Sequence, residues 1–388
     1  MVMAVGRRQL LAGAGAAFAL GSLSGCASGL AGGPSPKSLA PVNARIDRIT
    51  RLTVCTRPFR PLGPRIEAEK FDAKTIIHNY GHGGSGWSLS WGSADLALQK
   101  VKATGDKDIA VIGCGAMGLT TAVAAQRAGF AVTIYAKDLP PNVRSTLASG
   151  VWTPDSRICF EQNATPALKQ QWEHMCRVTH AAYQNLLGLP GDPIEWIDNY
   201  RVSDDPPGVK HERPKDDRPE FAEFQEELVP DLLTARDHLG PGDHPFGNRH
   251  AYRAPTIMFN ITAYSYFLLS QFHEGGGRIV IREFHSPRDL AILPQSTIVN
   301  CTGYAAKALF GDDSLVPVRG QLARGITQPD VRYGIYYKGV SFVPRRDGQV
   351  YQVVGDSDYY GFGIEATDPD RAEAEKAVNT IASLFQTA

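Results

Sequence analysis

The hydrophobic pattern is clearest between residues 108 and 135. There the continuous apolar run 109–112 is followed by Gly113-Cys114-Gly115-Ala116-Met117-Gly118, an alanine-rich stretch and a second apolar run, 131–135. A continuous apolar run is typical of a strand buried on both faces, and Gly129 stands where helices commonly end. The pattern therefore predicts a strand, a glycine turn, a helix and a second strand.

Apolar runs separated by glycine and proline predict the other elements. Further strands are expected at 51–55, 75–78, 278–283 and 297–300, with hairpin-like strands within 331–354. Further helices are expected at 90–101, 166–186, 262–273 and 370–385. The proline-rich segment 57–61 is predicted to be a turn, and 151–250 to be irregular apart from its one helix.

The glycine turn carries the first chemical prediction. A GxGxxG sequence between a strand and a helix is typical of dinucleotide binding. Gly113 would make the tight turn, Gly115 would let the backbone approach a pyrophosphate, and Gly118 would let helix and strand pack closely. Ala116 and Met117 would lie at the helix N-terminus, whose positive dipole end stabilises phosphate charge. The turn alone does not distinguish NAD from FAD.

The position expected to bind the ribose departs from the usual pattern. An acidic residue just after the second strand commonly accepts hydrogen bonds from the ribose hydroxyls. Here Lys137 occupies the nearer place and Asp138 the next. Either Asp138 reaches back to the ribose, or backbone groups hold it.

Several further motifs together resemble the D-amino-acid oxidase family, although no single one is specific. They span most of residues 50–355. They are Arg57-Pro58-Phe59-Arg60-Pro61, His78-Asn79-Tyr80-Gly81-His82-Gly83-Gly84-Ser85-Gly86, Val132-Thr133-Ile134-Tyr135-Ala136, Ser149-Gly150-Val151-Trp152, Val299-Asn300-Cys301-Thr302-Gly303-Tyr304 and Pro317-Val318-Arg319-Gly320-Gln321.

The resemblance implies a fold and a cofactor. The expected fold is α/β, a Rossmann-type FAD-binding domain interleaved with an antiparallel-sheet substrate domain. The implied cofactor is FAD, approached by backbone N–H groups of the glycine loop. Besides the residues of the glycine turn, Lys137 and Asp138, the implied cofactor-binding residues are Gly83, Gly84, Gly86, Trp87, Ser88, Arg144, Ser145, Thr146, Ser149, Gly150, Val151, Phe284, Thr302 and Gly303.

The resemblance also implies a substrate site. Arg57 matches the family arginine that pairs with the substrate carboxylate, Tyr336 matches a lid tyrosine that donates to the same carboxylate, and the Gly84 carbonyl would lie near the amine. The family's second lid tyrosine is absent, and Ser341 stands near its place. The identity of the substrate side chain is therefore open.

The implied activity is FAD-dependent oxidation of a small amino acid, above all a D-amino acid, to a 2-oxo acid, ammonia and hydrogen peroxide. One alternative is a glycine or secondary-amine oxidase, and another is a dehydrogenase that passes electrons to a membrane quinone instead of oxygen. A third alternative is a non-catalytic lipoprotein that keeps the fold as a binding module.

The order of the motifs is unusual, because in that family the Arg-Pro-x-Arg-Pro and glycine-loop segment lies at the C-terminus. Here it precedes the dinucleotide strand, so the chain resembles a circularly permuted member. The expected organisation is a signal (1–26), a linker (27–43), the permuted segment (44–106), the dinucleotide unit (107–150), substrate-domain insertions (151–260), a return to the FAD domain (261–312) and a substrate-domain sheet with lid and final helix (313–388).

The N-terminus predicts export. Gly6-Arg7-Arg8-Gln9-Leu10-Leu11 and the weakly apolar stretch 10–23 resemble a bacterial twin-arginine signal, and Leu23-Ser24-Gly25-Cys26 resembles a lipobox. The expected location is the periplasm, with the membrane reached only through a lipid on Cys26. A short membrane anchor or a simple cleaved signal are the alternatives.

Composition narrows the partners further. Lys plus Arg and Asp plus Glu both number 40, so nothing favours nucleic acid as a partner. After Cys26 the five cysteines form no CxxC pair, and His78 and His82 lie in a glycine-rich loop, so no metal site is predicted. Buried free thiols are expected.

Overall fold

The chain builds two β-sheets, one largely parallel and one largely antiparallel. The computed structural model describes residues 38–209, 217–365 and 367–386. All of them lie in Pro36–Ala388, one of the chain's two compact units.

The strands are β1 (Ile49–Phe59), β2 (Ala68–Phe71), β3 (Lys74–His78), β4 (Asp108–Ile112), β5 (Ala131–Ala136), β6 (Ile194–Ser203), β7 (Asp237–Leu239), β8 (His250–Phe259), β9 (Arg278–Ile281), β10 (Thr297–Asn300), β11 (Val316–Gly325), β12 (Tyr333–Tyr337), β13 (Val340–Val343) and β14 (Gln349–Val353). The α-helices are α1 (Gly86–Lys102), α2 (Ala116–Arg127), α3 (Pro166–Gln184), α4 (Gln225–Leu228), α5 (Ile261–Glu274), α6 (Ala306–Phe310) and α7 (Arg371–Ala382).

The parallel sheet has the order β2-β3-β10-β4-β5-β9, with only β2 antiparallel to its neighbour. Its central strand β4 is buried from Ile109 to Ile112, as the continuous apolar run predicts. The predicted strand, turn, helix and strand are confirmed as β4, α2 and β5. Buried side chains of α1, α2, α3 and α5 share one apolar core with this sheet, which fixes the glycine turn at its carboxyl edge.

The second sheet has the order β1-β11-β14-β13-β12-β6-β8-β7. Two sequence predictions about it were wrong. The segment 57–61 is not simply a turn, because β1 continues to Phe59 along the sheet edge, where a proline without an N–H is tolerated. The segment 151–250 contains β6 and the start of β8, and β6 was missed because its charged residues interrupt the apolar alternation.

The C-terminal helix packs beside the segment that leads into β1. Val378, Ile381 and Leu384 share a core with Val42 and Ala44. A short connection, 103–107, joins α1 to β4. These are the contacts that a circular permutation requires, and the permutation itself stays a prediction.

The signal proposed for 1–26, with Cys26, lies outside the described residues, so export and lipidation stay predictions. Within the described residues no helix is both long and apolar enough to cross a membrane. All five described cysteines are free thiols, and only Cys55 is not buried.

Candidate active site

One cavity of about 860 Å³ connects the predicted dinucleotide turn with the antiparallel sheet. Its wall includes the turn Gly113–Ala116, the glycine loop at Gly83 and Gly84, and side chains of β1, β6, β12, β13 and β14. A cavity of this size is in the range of cofactor and substrate sites.

The three glycines of the turn after β4 each lack a side chain for a different reason. Gly113 has φ +101°, and a Cβ there would lie 2.6 Å from the Cys301 carbonyl oxygen. A Cβ on Gly118 would overlap the Gly113 carbonyl, so this glycine permits the close packing of helix and strand. A Cβ on Gly115 would meet only the Ser145 side chain, with Oγ at 3.1 Å. Gly115 is therefore the glycine kept for the ligand, while the other two maintain the turn.

Ser145 completes this cradle. The Ala116 N–H donates to Ser145 Oγ at 3.0 Å, and the Trp87 indole donates to the Ser145 carbonyl at 2.8 Å. Ser145 thus connects the start of α2 with the start of α1, and Ser145, Ala116 and Trp87 all line the cavity.

At the far end of the cavity Lys137 forms an ion pair with Glu283 at 3.2 Å, and both side chains are exposed. Asp138, Arg144 and Phe284 line the same end. Asp138 therefore lies on the cavity wall, and its role toward a ribose stays a prediction.

The glycine loop is fixed by its own backbone. The Gly83 N–H donates to the Pro58 carbonyl and the Gly84 N–H to the Ser156 carbonyl, each at 2.9 Å. Side chains would overlap the Arg157 carbonyl at Gly83 and Ser156 at Gly84. Both of these N–H groups are therefore used within the protein, and the expectation that N–H groups of this loop reach the flavin stays a prediction for its other residues.

The two loop histidines are held by hydrogen bonds. His82 contacts Ser93 Oγ at 2.7 Å, and burial lowers its pKa to about 3. His78 contacts Glu69 at 3.0 Å and Asn300 at 3.1 Å. Among the described residues no cluster of three or more His, Cys, Asp or Glu side chains is suited to a metal. Both histidines maintain the loop.

The antiparallel sheet supplies a polar floor, defined here as Gln352, Ser341, Tyr336 and Arg201. They are register partners on neighbouring strands, so their side chains share one face, and all line the cavity. Ser341, which stands in the place expected for a second tyrosine, lies directly opposite Tyr336. The Arg201 guanidinium lies 4.6 Å from the Tyr336 ring centroid.

Arg57 enters the cavity from the edge strand β1. Its guanidinium lies over Gly320, where a Cβ would come within 2.5 Å of Nη2, and Nη1 donates to the Arg319 carbonyl at 3.1 Å. No carboxylate in the described part of the chain pairs with it. An arginine with an unmatched charge on a cavity wall is suited to an anionic ligand.

The structure brings most predicted site residues to this one cavity. Those on its wall are Arg57, Gly83, Gly84, Gly86, Trp87, Gly113, Gly115, Ala116, Met117, Lys137, Asp138, Arg144, Ser145, Ser149, Val151, Phe284, Thr302, Gly303 and Tyr336.

Four predicted residues lie behind the wall. Gly118 packs against Gly113, and the Thr146 hydroxyl donates to the carbonyls of Pro141 and Val143. Gly150 has φ +93°, which explains the glycine there, and Ser88 Oγ accepts from the Thr153 N–H at 2.9 Å. These four hold the fold of the site.

Sequence reasoning missed Arg157, Arg201, Asn199 and Gln352, which also line the cavity. Their placement depends on strand register and on the contact between Ser156 and the glycine loop. No local motif marks them.

The comparisons with known proteins agree with this site. Residues 108–388 match the family described as FAD dependent oxidoreductase. The chain belongs to this family. It is thus an oxidoreductase that uses FAD, and the cavity of about 860 Å³, with no side chain at Gly115 of its turn, fits such a dinucleotide.

Individual relatives are distant. The chain is similar to a D-amino-acid oxidase from Rubrobacter xylanophilus, 26% identical over 278 residues, covering 71% of this chain and 76% of that one. It is also similar to a D-amino-acid oxidase from Dictyostelium discoideum, 26% identical over 225 residues, covering 55% and 56%. A solved glycine oxidase from Geobacillus kaustophilus has a TM-score of 0.48 at 12% identity, covering 72% of this chain and 78% of that one.

Proposed function

We propose that this chain oxidises a small amino acid, in the first place a D-amino acid, to a 2-oxo acid, ammonia and hydrogen peroxide. The observation that carries the proposal is the meeting of Arg57, Tyr336 and Gly84 on one cavity wall. The three lie far apart in sequence, and the same wall continues to the dinucleotide turn at Gly113. The relatives named D-amino-acid oxidase support the same substrate class.

Each of these residues has a chemical role. The Arg57 guanidinium binds the α-carboxylate, and the Tyr336 hydroxyl, which lies 3.5 Å from the Gly355 carbonyl, turns to donate to the same group. The Gly84 carbonyl accepts a hydrogen bond from the amine. FAD, when bound, supplies the acceptor for the two electrons that leave Cα.

The protein contributes the orientation of the substrate rather than a side-chain base. His82, the histidine nearest the glycine pair, has its pKa lowered to about 3 by burial and already contacts Ser93. It therefore stays neutral at physiological pH. Holding the substrate in one orientation is a recognised source of rate enhancement. The released imine then hydrolyses to the 2-oxo acid and ammonia.

The test is a substrate panel on the purified, FAD-loaded protein. D- and L-amino acids, glycine and sarcosine are each supplied in air, and hydrogen peroxide and 2-oxo acid are measured. The proposal expects both products from a D-amino acid. Substrate-dependent reduction of a quinone or dye without peroxide would show a dehydrogenase instead. Turnover of sarcosine alone would favour a secondary-amine oxidase.

A further inference from the structure

A second arginine lies beside the glycine pair, opposite Arg57. The Gly83 N–H binds the Pro58 carbonyl and the Gly84 N–H binds the Ser156 carbonyl. Arg57 directly precedes Pro58 and Arg157 directly follows Ser156. The two arginines therefore flank the same two glycines, and both line the cavity.

The charges of these two arginines are only partly matched. Arg157 is 7% exposed, and the carboxylate that it contacts among the described residues, Asp358 at 3.2 Å, has a side chain that is 46% exposed. Burial and the neighbouring charge of Arg57 lower the pKa of Arg157 to about 10, against the opposing effect of Asp358. Two guanidinium groups that repel each other in a poorly solvated site are stabilised by anions placed near them.

The polar floor has the same character. Of its four residues Gln352 offers an amide, Ser341 a hydroxyl, and Arg201 a guanidinium with no carboxylate partner among the described residues. The acidic residues Glu223 and Asp356 also line the cavity, but they are exposed, so water screens their charge. These surroundings suit a substrate with a polar, anionic side chain better than one with an aliphatic side chain.

We propose that the substrate is an amino acid with a second carboxylate in its side chain, bound with its α-carboxylate on Arg57 and its side-chain carboxylate on Arg157. This rests on the proposed function, since it names the substrate class of that oxidation. Arg157 keeps N–H donors beyond those used on Asp358, because a guanidinium offers five.

The direct test compares acids with their amides, which have nearly the same shape. The purified, FAD-loaded enzyme is assayed with D-aspartate against D-asparagine and D-glutamate against D-glutamine. We expect kcat/KM to favour at least one acid over its amide by about 30-fold or more, as for loss of one partner of a buried charged pair. Arg157→Gln should abolish that preference while the amide is still oxidised. Arg371→Gln, an exposed arginine on α7, is the matched control and should keep it.

A binding measurement covers the case in which Arg157→Gln does not fold. The absorbance of bound flavin in the wild-type protein is titrated with succinate and with succinamate, its monoamide. Tighter binding of succinate is expected, and equal binding would overturn the proposal. If neutral D-amino acids are oxidised as well as D-aspartate and D-glutamate, this proposal fails and the proposed function stands. If no amino acid is oxidised, the proposed function itself fails.

Discussion

Replacing Arg57 by alanine should separate a substrate-binding arginine from a structural one. In the folded protein Arg57 has one hydrogen bond, to the Arg319 carbonyl at 3.1 Å, and no carboxylate partner among the described residues. Its removal therefore leaves no buried carboxylate unpaired. It also removes the positive charge that depresses the pKa of Arg157.

These opposing effects set the expected magnitudes. The lost hydrogen bond costs about 0.5–1.5 kcal/mol of the free energy of unfolding, and the relieved repulsion offsets part of it. We therefore expect Arg57→Ala to change stability by about 1 kcal/mol or less. The loss of substrate binding is larger, about 2–5 kcal/mol, which is about 30-fold to several-thousand-fold in kcat/KM.

The assay measures three quantities on the same preparation: kcat/KM for the best substrate, the Kd for FAD, and the free energy of unfolding in urea. Arg57→Lys keeps the charge but not the bidentate fork, so it should recover little activity. A drop of several kcal/mol in the free energy of unfolding, or an unchanged kcat/KM, would show that Arg57 is structural and does not bind the substrate.

Three further predictions concern other residues of the site and of its surrounding structure. Gly118→Ala should destabilise the fold by about 1–3 kcal/mol or more, because its Cβ would overlap the Gly113 carbonyl. Gly115→Ala should leave stability nearly unchanged and weaken FAD binding. Urea unfolding measures the first effect and a flavin titration the second, and the reverse ranking of the two variants would contradict our assignment. Asp347→Asn should destabilise the protein by about 3–5 kcal/mol at neutral pH, because it leaves the buried Arg345 without its carboxylate. Although burial alone would raise the pKa of Asp347, the charges of Arg345 and Arg324 keep this pKa below its usual value. The stabilisation by the ion pair is therefore present above about pH 4 and lost as the pH falls below it. The free energies of unfolding of the variant and the wild type should differ less in acid, and a constant difference down to about pH 2 would contradict the pairing. Tyr336→Phe should raise KM for carboxylate substrates with the FAD Kd unchanged, and an unchanged KM would remove the hydroxyl from the substrate site.

The dinucleotide unit could be predicted from the sequence because its signals are local. A continuous apolar run marks β4, and each glycine of the turn has a steric reason that the structure shows at Gly113 and Gly118. The positive φ of Gly113 and the contact of Gly118 with Gly113 are constraints between residues close in the chain, although a Cβ on Gly113 would also meet the distant Cys301. They are therefore visible without knowledge of the tertiary structure.

The rest of the site depends on contacts between distant segments. Arg201 becomes a cavity residue only because β6 lies parallel to β12 in one register, and β6 itself was not predicted. Arg157 has φ +53° and reaches the glycine loop through Ser156. Neither Arg201 nor Arg157 carries a local motif. Arg57 was found because its segment resembles a family motif, whereas its neighbour Arg157 was missed.

The central claim is that this cavity holds FAD and an amino acid together. The decisive measurement mixes the purified, FAD-loaded protein with a D-amino acid in the absence of oxygen and follows the yellow absorbance of the oxidised flavin. We expect loss of the yellow colour, about one 2-oxo acid and one ammonia per flavin, and return of the colour when air is admitted. A flavin that keeps its colour with every D-amino acid, L-amino acid, glycine and sarcosine would contradict it.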